Sequence, residues 1–114
     1  GMQMMALVAR GRLDQHLPDT TPTHADHWEA SHTIEAVVEV CGGRVLSGEV
    51  RSKHRQAVDD PGRLRVVARA HDGVIEAIDD PDRAFYVGVQ WHPERTADHA
   101  TGAALFESLI AACR

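Results

Sequence analysis

The dipeptide Asp72-Gly73 separates two extended stretches and constrains this chain more than any other feature. Before it, Leu64, Val66, Ala68 and Ala70 alternate with Arg63, Arg65 and Arg69; after it comes the apolar-rich run Val74 to Ile78. Asp-Gly tolerates the positive φ of a tight hairpin, so the two stretches pair as antiparallel strands. A second hairpin is predicted upstream. From Thr33 to Val40, Ile34, Ala36, Val38 and Val40 fall on one side and Thr33, Glu35 and Glu39 on the other, with Val37 the exception. Cys41-Gly42-Gly43 then turns the chain into Arg44 to Val50. The clusters Asp59-Asp60-Pro61-Gly62 and Asp79-Asp80-Pro81-Asp82 mark further turns. Ala84 to Gln90 is apolar on both faces, which predicts a buried strand in the middle of a sheet.

Helices are predicted at both ends. Met2 to Ala9 is apolar apart from Gln3 and stops at Arg10-Gly11-Arg12, the pattern of a short buried helix with a glycine terminator. From Gly102 onward, Leu105, Phe106, Leu109, Ile110 and Cys113 recur at helical spacing, with Glu107 and Ser108 on the other side, so this stripe is expected to face the core. Asp19 to Ala30 is polar, punctuated by proline and without period, and reads as a surface loop. The whole is a mixed α/β domain, strand-rich, over residues 1–114.

Seventeen acidic against twelve basic side chains leave a formal charge of -5, which argues against a surface that tracks nucleic-acid phosphates. No apolar run reaches the roughly 18 residues of a membrane helix, and no secretory signal opens the chain, so the expected compartment is the cytoplasm. Two cysteines make neither a disulfide framework nor a zinc set, and both are expected to be reduced.

The sharpest chemical feature is Gly88-Val89-Gln90-Trp91-His92-Pro93-Glu94. Residues two apart on an extended chain share a side, and Pro93 ends the ladder, so His92 and Glu94 leave the strand end together. A carboxylate beside an imidazole fixes its tautomer and stabilises its charged form, the base and orienter of a nucleophilic triad. A hydrogen-bonded pair that merely caps a strand is the alternative.

This segment, with Asp72-Gly73-Val74-Ile75-Glu76-Ala77-Ile78, Ser52-Lys53-His54-Arg55-Gln56-Ala57-Val58 and Gln15-His16-Leu17-Pro18-Asp19, closely resembles the class I glutamine amidotransferase-like family. Its nearest branch is the gamma-glutamyl-gamma-aminobutyrate hydrolase type. The resemblance implies the C-terminal half of a flavodoxin-like α/β domain. It also implies hydrolysis of a γ-glutamyl amide or glutamine through a Cys-His-Glu triad, with His92 and Glu94 as two members and no metal or organic cofactor. Gln3 matches a family glutamine that contacts the glutamyl group. Ser52, His54 and Gln56 match a stretch beside the active site, in which Arg51 and Arg55 stand where asparagine and histidine are usual.

The family's nucleophile elbow reads roughly Gly-Ile-Cys-Arg-Gly-Met-Gln, whereas this chain opens Gly1-Met2-Gln3-Met4-Met5. The expectation is a truncated enzyme, with Gly1 a remnant of a cleaved tag and Met2 an internal methionine. A non-catalytic binding or assembly module that keeps the scaffold is the alternative. Cys41 lies at a strand-to-strand turn and Cys113 on a helix stripe, and neither setting is an elbow. Uncovered apolar faces and open sheet edges predict a homo-oligomer. His24, Asp26, His27 and His32 have spacings that can bind zinc or nickel, but a polar loop lacks the support a metal site needs, and a solvated loop is the expectation. Trp28 and Trp91 are expected to be packing groups, with Trp91 also a candidate wall of the substrate pocket.

Overall fold

A computed structural model describes residues 1–40 and 43–113. Among the described residues, three α-helices, α1 (Met2–Val8), α2 (Leu17–Thr20) and α3 (Ala103–Ala112), accompany a seven-stranded sheet. The strands are β1 (Arg12–Asp14), β2 (Ala30–Ala36), β3 (Gly48–Ser52), β4 (Ala57–Asp60), β5 (Arg65–Ala70), β6 (Ile75–Asp79) and β7 (Val87–Val89). Their order is β1-β4-β6-β5-β2-β3, with β7 also on β6, and every pair is antiparallel. The expected mixed α/β architecture with a helix at each end is present.

The Asp72-Gly73 hairpin joins β5 to β6 as the sequence predicts. Gly73 sits at φ 85°, and the Asp72 carboxylate accepts from the Val74 amide at 3.2 Å. β2 and β3 form the other hairpin, in register from Ala30 opposite Ser52 to Ile34 opposite Gly48. Its first strand starts and ends earlier than the alternation suggests, its second runs over Gly48–Ser52 and not from Arg44 to Val50, and Cys41-Gly42 lies outside the described residues.

The buried centre of the sheet is β6, not Ala84 to Gln90. All five residues of β6 are buried, because β5 lies along one edge while β4, at Ile75, and β7, from Ala77 to Asp79, share the other. β7 is only three residues long and half-buried on either side of Gly88. Gly88 is needed there because α1 crosses it closely: a Cβ would lie 2.6 Å from Met5 Sδ and 3.0 Å from Met2 Cα.

One apolar core joins Met2, Ala6 and Ala9 to Val58, Leu64, Ile75 and Ile78. The other joins Ile34, Leu46, Val50, Val67, Ala77 and Trp91, with Leu105 of α3 against it. Each of these larger aliphatic side chains contributes about 1.5–3 kcal/mol when fully buried.

Two expectations are corrected. α3 docks through Ala104 and Ser108, whose hydroxyl accepts from Arg44 Nε at 2.7 Å, and leaves Phe106, Leu109 and Ile110 exposed. The small residues Ala104 and Ser108 form the buried side of the helix, and the larger apolar stripe faces outward. The stretch Asp19 to Ala30 is not simply a surface loop. It holds the end of α2 and a 3-10 turn, His24–His27, that drives His27 to complete burial.

Candidate active site at the end of β7

Beyond β7 the backbone is held residue by residue. The Gln90 amide donates to Glu76 O at 2.8 Å, and Trp91 is buried with its indole N–H on Thr101 O at 2.8 Å. The His92 amide donates to Arg51 O at 2.9 Å, while the His92 carbonyl accepts from Arg95 N–H and the Thr96 hydroxyl. A 3-10 turn, Pro93–Arg95, then swings Glu94 back towards the ring.

His92 Nδ1 and Glu94 Oε1 are 2.8 Å apart. An ionised carboxylate only accepts, so Nδ1 carries the proton and Nε2 is left as the basic nitrogen. A hydrogen bond from its own backbone amide, then that from His92, holds the Glu94 carboxyl below its ordinary value. His92 lines a cavity of about 310 Å³ together with Gly1, Gln3, Lys53, Gln90 and Trp91. The imidazole and carboxylate that the sequence pairs are thus adjacent and at a cavity.

Gln3 reaches the same cavity from α1 and donates to Gln90 Oε1 at 3.2 Å. Ser52 and His54 face away from it. Both are buried, with Ser52 Oγ on His32 Nε2 at 2.8 Å and His54 Nε2 beside His27 Nδ1 at 3.1 Å. Gln56 is exposed, and its carbonyl accepts from His54 Nδ1 at 2.8 Å. The residue of this stretch at the cavity is Lys53, paired with Glu29 at 3.1 Å. Alternation along an extended chain sends Ser52 and His54 one way and Lys53 the other, a signal present in the sequence itself.

Arg55 lies with its guanidinium 3.9 Å from the centre of the Trp28 ring, so that half-exposed tryptophan is a platform for a cation rather than a core residue. Cys113 is free and exposed at the end of α3.

Behind the cavity, His27, His32, His54 and Glu76 come together from distant parts of the chain. Asp72 joins them through His27 Nε2 at 2.7 Å. Burial raises the Asp72 carboxyl, but hydrogen bonds from the Thr23 hydroxyl, His27 and the Val74 amide outweigh it and hold the group at about 2. Of the loop residues grouped by spacing, His27 and His32 enter this cluster. Asp26 pairs instead with His71 at 3.1 Å. Glu76 was not anticipated; an acid flanked by apolar residues in Val74-Ile75-Glu76-Ala77-Ile78 is the mark it left in the sequence.

Residues 1–94 match the family model described as Peptidase C26. Among curated proteins, the chain is 37% identical over 109 residues to the gamma-glutamyl-gamma-aminobutyrate hydrolase PuuD of Escherichia coli, covering 90% of this chain and 41% of that protein. It is 35% identical to a glutamine amidotransferase-like protein of Rickettsia prowazekii, covering 88% of this chain and 34% of the relative. To the protein NtpR of Enterococcus hirae it is 31% identical, covering 96% and 51%. The chain therefore spans about a third to a half of the length of these relatives. No helix among the described residues is long and apolar enough to cross a membrane.

Proposed function

The chain belongs to the peptidase C26 family, and from that premise we propose that it carries the imidazole and carboxylate of a thiol-dependent hydrolase of γ-glutamyl amides. The observation that supports this reading best is the 2.8 Å contact between His92 and Glu94 at the wall of a cavity. A relative similar along nearly the whole chain is named a gamma-glutamyl-gamma-aminobutyrate hydrolase, and that compound or glutamine is the substrate class we assign.

In the proposed reaction His92 Nε2 removes the thiol proton. The thiolate attacks the γ-carbonyl carbon, and the C–N bond breaks as His92 returns the proton to the leaving amine. Water, deprotonated by the same nitrogen, then releases glutamate from the γ-glutamyl thioester and restores the thiol. Glu94 orients His92 and stabilises its charged form. Gln3 is the group we assign to the glutamyl moiety. Ser52, His54 and Gln56 act on the cavity by holding the segment that presents Lys53.

Among the described residues, no cysteine lines this cavity. We propose that residues 1–114 are the C-terminal part of a domain whose cysteine lies on a segment outside them, so the chain alone is inert. The exposed stripe Phe106, Leu109 and Ile110 favours a homo-oligomer as the assembled form.

The test is hydrolysis of γ-glutamyl-γ-aminobutyrate and glutamine by the chain alone and by the chain joined, ahead of Met2, to the cysteine-bearing segment of PuuD. No turnover alone and His92-dependent turnover in the fusion are expected. Turnover by the chain alone through Cys41 or Cys113, or fusion turnover that survives His92→Ala, overturns the proposal.

A further inference from the structure

Four side chains from three elements and a connecting segment meet behind the cavity: His27 from the 3-10 turn, His32 from β2, His54 just after β3 and Glu76 from β6. Their relative exposures are 0%, 7%, 5% and 0%. We propose that this cluster is a binding site for one zinc ion, held by His27 Nδ1, His32 Nε2, His54 Nε2 and a carboxylate oxygen of Glu76.

The outer nitrogens of the three rings fix the tautomers. His32 Nδ1 faces Thr33 O at 3.1 Å and His54 Nδ1 faces Gln56 O at 2.8 Å. His27 Nε2 faces Asp72 Oδ2 at 2.7 Å. Carbonyl and carboxylate oxygens only accept, so each outer nitrogen carries its ring's proton. Each inner nitrogen of a neutral ring is then a lone pair, and all three point into the space that Glu76 enters. Histidine ligands of metals have this arrangement, with the second N–H donated to a carbonyl or carboxylate.

The inner atoms are in sterically demanding contact. His27 Nδ1 is 3.1 Å from both His54 Nε2 and Glu76 Oε1, and Glu76 Oε1 is 3.5 Å from His32 Nε2 and from His54 Nε2. Ligands at about 2.0–2.1 Å from a tetrahedral zinc lie roughly 3.3 Å from one another; the four donors here lie within 4.8 Å of one another, so the wider pairs draw in when an ion binds. Yet neither oxygen of the fully buried Glu76 has a hydrogen-bond partner. Only the His27 to His54 contact has hydrogen-bond alignment; the contacts of Glu76 with the three rings do not, which is what groups show when they aim at a common centre rather than at each other.

Charge points the same way. Glu76 and Asp72 bring two negative charges into a buried volume and, outweighing the burial that lowers it, raise the pKa of His27 between them; with the rings neutral, a divalent cation supplies that positive charge instead. Three imidazoles and one carboxylate are a zinc donor set. Magnesium and calcium prefer all-oxygen surroundings, and Cu(II) a tetragonal one. His32 is the weakest of the four ligands, because the Ser52 hydroxyl already donates to its Nε2 at 2.8 Å. Such an ion ties β6 to the segment that carries Lys53 into the cavity with His92, but it takes no part in the proposed hydrolysis.

The test uses protein made without a polyhistidine tag, stripped of metal and titrated with zinc and cobalt. One equivalent is expected, with a raised melting temperature and the intense visible bands of tetrahedral Co(II). Glu76→Gln and His54→Gln each weaken binding at least tenfold, His32→Gln less, and Asp72→Asn by about 10- to 100-fold through His27. The control His24→Ala, outside the cluster, leaves it unchanged. Absence of binding, or binding that survives Glu76→Gln and His54→Gln or is lost with His24→Ala, overturns the proposal. Should those variants fail to fold, X-ray absorption of the zinc-loaded native protein decides. Three imidazoles and one carboxylate oxygen support the site, and any other first shell refutes it.

Discussion

His92 and Glu94 meet at 2.8 Å across the single intervening proline. Pro93 opens the 3-10 turn that folds Glu94 under the ring, so the contact is built into a three-residue segment and does not depend on distant packing. In the fusion described above, His92→Ala is expected to abolish hydrolysis. Glu94→Ala is expected to lower kcat on the order of 10²- to 10⁴-fold with little change in KM, as for other triads that lose their orienting acid. Nitrogen-15 NMR of the isolated chain checks the cause: the Nδ1–H tautomer of His92 should dominate in the native protein and lose that dominance in Glu94→Ala.

The same pair sets a pH dependence. Glu94 is held below its ordinary 4.5, first by its own backbone amide and then by His92. A depressed carboxylate favours the folded form above the unfolded value, and the benefit disappears as pH falls through the folded value. The His92 to Glu94 contact should therefore persist at pH 4.5, with more than half of Glu94 ionised. Carbon-13 titration of the Glu94 carboxyl is the measurement, and a midpoint at or above 4.5 contradicts the assignment.

Substitution at Gly88 should be felt at α1. A Cβ there meets the Met2 backbone at 3.0 Å as well as the flexible end of Met5, and only the latter can move aside cheaply. Gly88→Ala is expected to cost about 1–3 kcal/mol of folding stability. Gly88→Val should cost more, and the loss should shrink when Met5→Ala is added. Urea denaturation of the single and double variants gives the comparison.

Local chemistry made the hairpins legible, and three-dimensional competition decided the rest. Asp72-Gly73 encodes its own turn, and His92-Pro93-Glu94 its own contact. The placement of Ala84 to Gln90 at the centre of the sheet failed because apolarity on both faces reports burial without saying what supplies it. Here α1 covers β7, and the fully flanked strand is β6. The stripe on α3 does not mark the buried face because periodicity reports an apolar face without saying what covers it, and among the described residues Phe106, Leu109 and Ile110 stay exposed. The buried cluster was half visible. His27 and His32 stood out by spacing, but their partners His54 and Glu76 arrive from elsewhere in the chain, and only the sheet register brings them together.

The outward face of α3 gives a prediction that separates folding from association. Leu109 and Ile110 are 43% and 55% exposed, so Leu109→Glu and Ile110→Lys should change monomer stability by no more than about 0.5 kcal/mol. If copies associate through this face, sedimentation should show a shift towards monomer in both variants. A destabilisation of about 2 kcal/mol or more would instead mean that the stripe packs inside the protomer.

Trp91 links the two halves of the site, since its indole is buried beside His92 and donates to the carbonyl of Thr101, which is itself fully buried. Trp91→Phe keeps an aromatic ring in the core but leaves that carbonyl without its donor, at a cost of about 1–3 kcal/mol. The loss should be visible in urea unfolding at neutral pH. A second readout tests whether Trp91 also fixes the catalytic ring: the His92 amide, held on Arg51 O at 2.9 Å, should exchange its hydrogen faster in Trp91→Phe than in the native protein. Loss of stability with unchanged exchange at His92 would make Trp91 a core residue alone. Accelerated exchange makes it the brace that keeps His92 facing the cavity.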